Sequence, residues 1–408
     1  MTGDSETLRR PWLESSPPSK PVPRWQVLAS LLCFVLPLCL IPFLRASDGP
    51  MRWERMWGWP GDGRVYRLVV GEGDEGPIIY AAGAVGGLYV SADSGESWRR
   101  SQVRVTGPSL GAMRILDLAV DPTNPNRVHV VLFSRADRPR PMLYTSEDAG
   151  MSWRAQGALG PRRIQAIRYG ASGDDLYLAT GGEVVRALIR DGDALRFVSD
   201  GRELQAATIG ALEPTALVTA LAVGEGHVAQ GAQRLPMVYV GTRGRGLWVF
   251  VDRADEGPKP SGAAGDRLAG WARGLGLADD PVSLSVRSLV TINALSVDPH
   301  RAGTVFAGTA QGFYVSHDSG RSWTPLTYPS QHPVISLCGE ADGGHLFAGL
   351  AGGGALHSAD DGLTWASLGV GLEALSVDSL AVTAARPHTL YAGTDRGLWR
   401  LSLDGASR

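Results

Sequence analysis

The sequence predicts an all-β fold, a seven-bladed β-propeller, with a transmembrane helix before it. The motif S-x-D-x-G-x-[ST]-W occurs four times, a wider unit of short strands recurs seven times, and 53 of the 408 residues are glycine. A repeat of about 40–50 residues is typical of propeller blades, and their tight hairpins need many glycines. A run of 20 uncharged residues near the amino terminus predicts the helix.

The eight-residue motif predicts a hairpin turn between two strands. In each copy we expect Asp to accept hydrogen bonds from backbone N–H groups two residues on, and Trp to be buried between neighbouring sheets. We interpret the four aspartates as structural rather than catalytic. The copies comprise Ser91, Asp93, Gly95 and Trp98; Ser146, Asp148, Gly150 and Trp153; Ser316, Asp318, Gly320 and Trp323; and Ser358, Asp360, Gly362 and Trp365.

These motifs resemble the Asp box, also called the bacterial neuraminidase repeat. That repeat is found in sialidases, sortilin-type receptors, some glycoside hydrolases and photosystem II assembly factors, all of which are β-propellers. The resemblance therefore implies the architecture of residues 51–404. It says little about function, because these proteins share the blade and little chemistry.

Seven blades follow from one position on the second strand of each repeat unit. Neighbouring positions are between 41 and 67 residues apart, and blades three, four and seven lack the motif. Blade seven would have only three strands of its own, so we expect the segment 51–59 to add its outer strand and close the ring. The seven positions are Tyr80, His129, Tyr177, Tyr239, Phe306, Phe347 and Tyr391.

The amino-terminal region predicts a membrane anchor. Residues 25–44 carry no charge and are long enough to span a bilayer, so the lipid bilayer is an expected partner. Residues 1–24, rich in Ser, Pro and charge, are predicted to be a disordered cytoplasmic tail. A slight excess of basic residues on that side favours a single-pass protein of the cell membrane with an extracytoplasmic propeller. A cleaved signal peptide ending near Ala46 is the alternative.

The candidate binding face is the one that carries the longest loops. Loops that join strands two and three of a blade emerge on this face together with the connections between blades, of which 101–111, 199–215 and 252–285 are the longest. Its arginines would clamp a carboxylate, a phosphate or an acidic partner, although they fit a solvated surface as well. Trp271 would lie on a short amphipathic helix or fold back onto the propeller. The candidate residues are Arg135, Arg138, Arg140, Arg243, Arg245, Trp271 and Arg396.

The sequence contains no recognisable catalytic or cofactor motif. The Arg-Ile-Pro signature of sialidases is absent, and inner-strand acids such as Asp117 and Glu340 cannot be paired from sequence alone. No Cys/His cluster has metal-ligand spacing, so neither a metal nor a cofactor is expected. With a net charge of −2, nothing in the overall charge favours nucleic acid as a partner.

The favoured hypothesis is a membrane-anchored, extracytoplasmic scaffold that binds or assembles other membrane or extracytoplasmic proteins without catalysis. The assembly-factor branch of the resemblance fits a single propeller held at a membrane. Two alternatives stay open: a surface glycoside hydrolase of sialidase-like type and a receptor-like binder of secreted peptides or proteins.

Overall fold

The structure is a computed structural model that describes residues 51–403 with interruptions. The predicted tail 1–24 and the predicted transmembrane helix 25–44 lie outside the described residues, and within the described part no helix is long and apolar enough to cross a bilayer. The interruptions are 61–62, 85–86, 102–112, 135–140, 157–163, 181–182, 189–206, 212–216, 228–233, 253–290, 342, 385 and 387.

The described residues form seven antiparallel sheets, which are the seven predicted blades. The first strand in the chain is β1 (Glu54–Arg55). Blade one contains β2 (Val65–Gly73), β3 (Gly76–Gly83), β4 (Leu88–Ser91) and β5 (Arg99–Ser101). Blade two contains β6 (Met113–Val120), β7 (Val128–Ser134), β8 (Pro141–Ser146) and β9 (Arg154–Gln156). Blade three contains β10 (Ile164–Tyr169), β11 (Asp175–Thr180), β12 (Glu183–Leu188) and β13 (Ala207–Ala211).

The remaining blades follow the same order, from the innermost strand outward. Blade four contains β14 (Val218–His227), β15 (Arg234–Thr242) and β16 (Leu247–Val251). Blade five contains β17 (Ile292–Val297), β18 (Val305–Thr309), β19 (Phe313–Ser316) and β20 (Thr324–Leu326). Blade six contains β21 (Val334–Gly339), β22 (Leu346–Leu350), β23 (Ala355–Ser358) and β24 (Ala366–Ser367). Blade seven contains β25 (Val377–Val382), β26 (Thr389–Thr394), β27 (Gly397–Ser402) and, outermost, β1.

The blades are arranged in a closed ring. The innermost strands β2, β6, β10, β14, β17, β21 and β25 contact one another in that order, and β25 contacts β2. The seven second-strand positions used to count the blades are all buried, as expected for the layer between neighbouring sheets. Blades three, four and seven, predicted without the eight-residue motif, are present.

One predicted loop is wrong in part. Residues 199–215 were expected to be a connection between blades, but Ala207–Ala211 form β13, the outer strand of blade three. The segment contains the β-branched residues Thr208 and Ile209, which favour a strand. No turn motif precedes it, so no signal in the sequence indicated where this strand would begin.

Glycine on the second strand lets neighbouring blades pack closely. A Cβ atom at Gly308 would lie 2.5 Å from Cγ1 of Val334, which begins the innermost strand of the next blade. The threonine after this glycine closes the next hairpin, since Thr309 Oγ1 donates to the carbonyl oxygen of Gly312 at 2.9 Å. The Ala-Gly-Thr pattern thus combines close packing with hairpin closure. Three further pairs repeat the glycine contact: Gly241 with Ile292, Gly349 with Val377, and Gly393 with Val65.

Each of the seven innermost strands carries a β-bulge near its start. The bulged residues are Tyr66, Leu116, Gln165, Thr219, Asn293, Ile335 and Asp378. At or beside each bulge, a polar side chain forms a hydrogen bond with the backbone of the next innermost strand. We call these seven bonds the inner clasps. Their pairs are Tyr66–Ile115, Asp117–Ile167, Gln165–Val218, Thr219–Ile292, Asn293–Val334, Ser336–Val377 and Ser379–Leu68.

Residues 51–59, here called the strap, close the ring as the sequence predicted. In β1, Glu54 pairs with Arg400 and Arg55 pairs with Trp399 of β27, in antiparallel register. The first and last strands of the propeller therefore lie in one sheet, and the outer edge of blade seven is covered.

The strap also contacts the two blades beside blade seven. Trp53 is 2% exposed, and its indole Nε1 donates to the carbonyl oxygen of Leu368 in blade six at 2.7 Å. Trp59 packs edge-on against the rings of Tyr89 and Trp98 in blade one, with centroids 4.8 and 5.2 Å away. The strap thus joins three blades.

Candidate binding site at the channel mouth

The chain path gives the ring two different faces. The hairpins between second and third strands emerge on one face with the connections between blades, and we call it the insertion face. The opposite face, the turn face, carries the four motif turns. Arg243, Arg245 and Arg396 lie in hairpins of the insertion face, where all three are exposed. The other candidates, Arg135, Arg138, Arg140 and Trp271, lie outside the described residues.

The four motif turns share one hydrogen-bond pattern. In the first copy, the hydroxyl of Ser91 donates to Asp93 at 2.7 Å and accepts from the amide of Gly95 at 2.8 Å. Asp93 accepts from the amide of Ser97 at 2.9 Å. The expectation that Asp would bind an amide two residues on is therefore wrong; the amide lies four residues on. The same bonds recur in the other copies.

The backbone of these turns is unusual. Among the described residues, the non-glycine residues with positive φ are Ser94, Ala149, Ser319 and Asp361, one in each turn directly before the motif glycine. The motif tryptophans are less uniform than predicted, because Trp323 and Trp365 are buried whereas Trp98 and Trp153 are partly exposed. Burial tends to raise the pKa of Asp93, but hydrogen bonds from the hydroxyl and amide of Ser97 lower the pKa overall. Because these hydrogen bonds already engage the carboxylates, the role of the carboxylates is to stabilise the turns.

A cavity of about 490 Å³ lies within the ring and is lined by residues of all seven innermost strands. This volume is within the range of small-ligand sites, about 300–1,000 Å³. The cavity is the central channel of the propeller. We call its end at the insertion face the channel mouth.

Two arginines that line the channel share one buried aspartate. Arg67 directly follows the bulge of β2, and Arg168 lies deeper, next to the last residue of β10. Asp117 on β6 is 1% exposed, and its Oδ2 accepts from Nη1 of Arg168 at 2.9 Å and from the amide of Ile167 at 3.0 Å. Nε of Arg67 lies 3.2 Å from Oδ1 of Asp117, but without hydrogen-bond geometry. The side chains of Arg67 and Arg168 are 32% and 37% exposed, and both line the cavity. Two cations around one anion leave an excess positive charge.

A second ion pair lies on blades one and seven and is balanced. The guanidinium of Arg64 donates to both carboxylate oxygens of Asp378, which lines the cavity beside β2. A third arginine, Arg114 on β6, has its guanidinium carbon 5.7 Å from the ring centroid of Tyr66 on β2. Burial raises the pKa of the Tyr66 hydroxyl, and the positive charges of Arg114 and Arg67 oppose that shift. Arg114 therefore adds to the positive side of the mouth.

The charge in the channel is confined to one arc. The charged residues that line the described cavity belong to blades one, two, three and seven, whereas blades four, five and six contribute uncharged side chains such as Leu221, Leu295 and Leu337. Two neighbouring arginines outside the lining add to these charges: Arg64 balances Asp378, and Arg114 lies near Tyr66. Counted together, Arg67, Arg114 and Arg168 stand against Asp117 on blades one to three. The arrangement favours an anionic group held on that arc.

The two inner-strand acids do not form a catalytic pair. Asp117 is held by two arginines, as described above. Glu340 follows β21 at the other end of its strand, where its Oε1 lies 3.3 Å from Nδ1 of His388. Each carboxylate is engaged by a different basic partner. Glycoside hydrolysis needs two carboxyl groups facing each other across a substrate, and these two do not provide that arrangement.

Sequence reasoning identified Asp117 but not the two arginines that bind it. Arg67 and Arg168 are charged residues between hydrophobic neighbours in the innermost strands Val65–Gly73 and Ile164–Tyr169. A charge in such a strand is a usable signal, since burying it without a partner is costly. The pairing itself depends on which blades are neighbours.

Comparisons with known proteins support the propeller fold. No protein-family model matches the sequence, and no curated protein matches it either. Among solved structures, YCF48 bound to D1 peptide matches with a TM-score of 0.56 at 12% identity, over 89% of this chain and 98% of that one. YCF48 from Cyanidioschyzon merolae matches with a TM-score of 0.54 at 12% identity, over 87% and 100%. At this identity the likeness shows that this chain shares their fold.

Proposed function

We propose that this protein is a non-catalytic scaffold that binds another protein on its insertion face, centred on the channel mouth. The observation that carries this proposal is the excess positive charge of Arg67, Arg114 and Arg168 over Asp117 on one arc of the channel. Such a patch attracts an acidic partner and orients its approach. The fold likeness to YCF48, which has been solved with a bound D1 peptide, supports a polypeptide as the ligand.

The proposal includes an extracytoplasmic location next to a membrane. Its support is the uncharged run of residues 25–44 and the basic residues that precede it. It also treats the four motif turns as Asp boxes that hold the outer strands and take no part in binding. Their carboxylates support this assignment, because hydrogen bonds within the turns already engage them.

Crosslinking and mass spectrometry on the full chain in native membranes would test the binding face. We expect partner crosslinks to map to the insertion face and to weaken when Arg243→Glu and Arg396→Glu are combined, since both residues are exposed there. Arg154→Glu, an exposed substitution in β9 next to a motif turn, is the matched control and should leave the crosslinks unchanged. Crosslinks confined to the turn face would contradict the proposal.

The identity of the crosslinked protein distinguishes the scaffold hypothesis from the two alternative hypotheses. Subunits of a membrane complex support an assembly role, whereas soluble secreted ligands support the receptor-like binder. Hydrolysis of fluorogenic sialosides or other glycosides by the purified protein would instead support the glycoside hydrolase and contradict a non-catalytic role.

A further inference from the structure

We propose that Arg67 and Arg168 form a carboxylate-binding site inside the channel, which takes an acidic side chain or a terminal carboxylate of the bound protein. This inference rests on the proposed function, because it names the group that a partner protein would place in the channel. Asp117 already holds the two arginines in position and leaves them with one positive charge in excess.

Hydrogen-bond capacity is the first argument for this site. An arginine has five N–H donors, and one carboxylate cannot accept from all the donors of two arginines. Nη1 of Arg168 donates to Asp117 and to the carbonyl oxygen of Ile167 at 2.6 Å. Nε of Arg67 is buried 3.2 Å from Oδ1 of Asp117, which leaves the other guanidinium nitrogens of the two arginines to donate to a ligand. Such a nitrogen can exchange a hydrogen bond to water for a stronger, charge-assisted hydrogen bond to a second carboxylate.

Position is the second argument. Both arginines line the cavity, and their side chains are about two-thirds buried. An anion between them would be partly removed from water, and its attraction to arginine is stronger there. Asp117 lines the same cavity, where the amide of Ile167 holds its carboxylate. The inner clasp between blades two and three therefore also fixes the site, because its acceptor is the aspartate that orients both arginines.

The shape of the cavity is the third argument. A volume of about 490 Å³ admits a short extended segment, and the uncharged arc of blades four to six would contact its apolar atoms. A carboxylate suits two convergent guanidiniums because arginine can bind it through two parallel hydrogen bonds.

Binding of short synthetic peptides to the purified full chain at low salt would test the site. The main probe is hexaglutamate with an acetylated amino terminus and an amidated carboxyl terminus, and hexaglutamine with the same ends is the neutral comparison. A third peptide, hexaglutamine with a free carboxyl terminus, distinguishes a terminal carboxylate from side-chain carboxylates. We expect one of the two carboxylate peptides to bind and the neutral peptide not to bind.

Two substitutions at the site should change the affinity in opposite directions. Arg168→Gln should weaken binding on the order of tenfold, because it removes a charge-assisted contact. Asp117→Asn should strengthen binding several-fold, because it removes the competing carboxylate while Asn still accepts from the amide of Ile167. A purely structural role for these residues predicts no gain from Asp117→Asn. Arg154→Gln, at an exposed site outside the channel, should leave the affinity unchanged.

Circular dichroism of each variant would verify that it is folded. If Arg168→Gln does not fold, Asp117→Asn decides with whichever carboxylate peptide binds the natural protein: unchanged or weaker binding of that peptide overturns the inference. Equal effects of Arg168→Gln and Arg154→Gln would overturn it too, since binding would then depend on overall charge. Loss of peptide binding together with intact insertion-face crosslinks would reject this site and leave the proposed function standing.

Discussion

The outer and inner parts of the propeller repeat in different ways. At the turn face, four turns use the same residue types in the same order, from Ser91 to Trp98 and at the three later copies. Around the channel, the seven inner clasps use Tyr, Asp, Gln, Thr, Asn and Ser side chains at equivalent places. The outer repeat is therefore visible in the sequence, and the inner repeat is visible only in the structure.

The difference follows from what each position requires. A motif turn needs a hydroxyl, a carboxylate and a positive φ in fixed order, because three groups must meet within eight residues. An inner clasp needs one donor or acceptor that reaches the neighbouring backbone, and many side chains meet that requirement. A strict local geometry restricts residue types, whereas a single bond between neighbouring strands does not.

Substitutions in the strap are expected to have the largest effect, and they test whether closure of the ring depends on particular side chains. Trp53→Ala should lower the free energy of unfolding by about 3–5 kcal/mol, because a buried indole is lost together with its hydrogen bond to Leu368. Equilibrium urea unfolding would measure it. Trp57→Ala is the control within the same strap: this side chain is 82% exposed, and its removal should cost less than about 0.5 kcal/mol. Similar losses for both would mean that the strap does not hold the ring closed.

The closure of the ring could be predicted because it followed from counting strands. Blade seven had three strands at the end of the chain, and the segment 51–59 had no blade of its own. The outer strand β13 of blade three could not be predicted, since no motif turn precedes it and its sequence is short. The sequence therefore predicted a strand where a turn motif or a segment without a blade of its own indicated its position.

Packing of the second strand of one blade against the innermost strand of the next provides a second test, with a smaller effect. Gly308→Ala should cost about 1–3 kcal/mol of unfolding free energy, because the new methyl group would meet Val334 at 2.5 Å. The double variant with Val334→Ala should recover part of that loss, since the smaller side chain makes room. A double-mutant cycle in urea measures the coupling, and strictly additive losses would show that these residues do not limit how closely blades five and six pack.

The candidate site was only partly predictable for a similar reason. Topology placed Arg243, Arg245 and Arg396 on the insertion face from the order of strands alone. The contact between Arg67, Asp117 and Arg168 joins blades one, two and three, and it depends on where each side chain points at a bulged strand. Spacing along the chain does not contain that direction, so the sequence could name Asp117 without naming its partners.

The smallest expected effect concerns the charge of a motif turn. The hydrogen bonds of Ser97 lower the pKa of Asp93 below its ordinary value of 3.8 although burial opposes the shift. A carboxylate with a lowered folded-state pKa contributes stability above its unfolded-state pKa and loses that contribution as pH falls through the folded-state pKa. The stability difference between the natural protein and Asp93→Asn should therefore be largest near about pH 6 and shrink below about pH 4.

Urea unfolding at several pH values would measure that difference. Asp74→Asn is the matched control, because Asp74 is an exposed aspartate in the hairpin between β2 and β3 of the same blade. A pH dependence of equal size for Asp74→Asn would mean that the effect is not specific to the motif turn. A pH-independent effect of Asp93→Asn would show that the carboxylate charge is unimportant in the turn. The outer repeat would then require only the shape and hydrogen-bonding capacity of its residues, and it would differ less from the inner clasps than their sequences suggest.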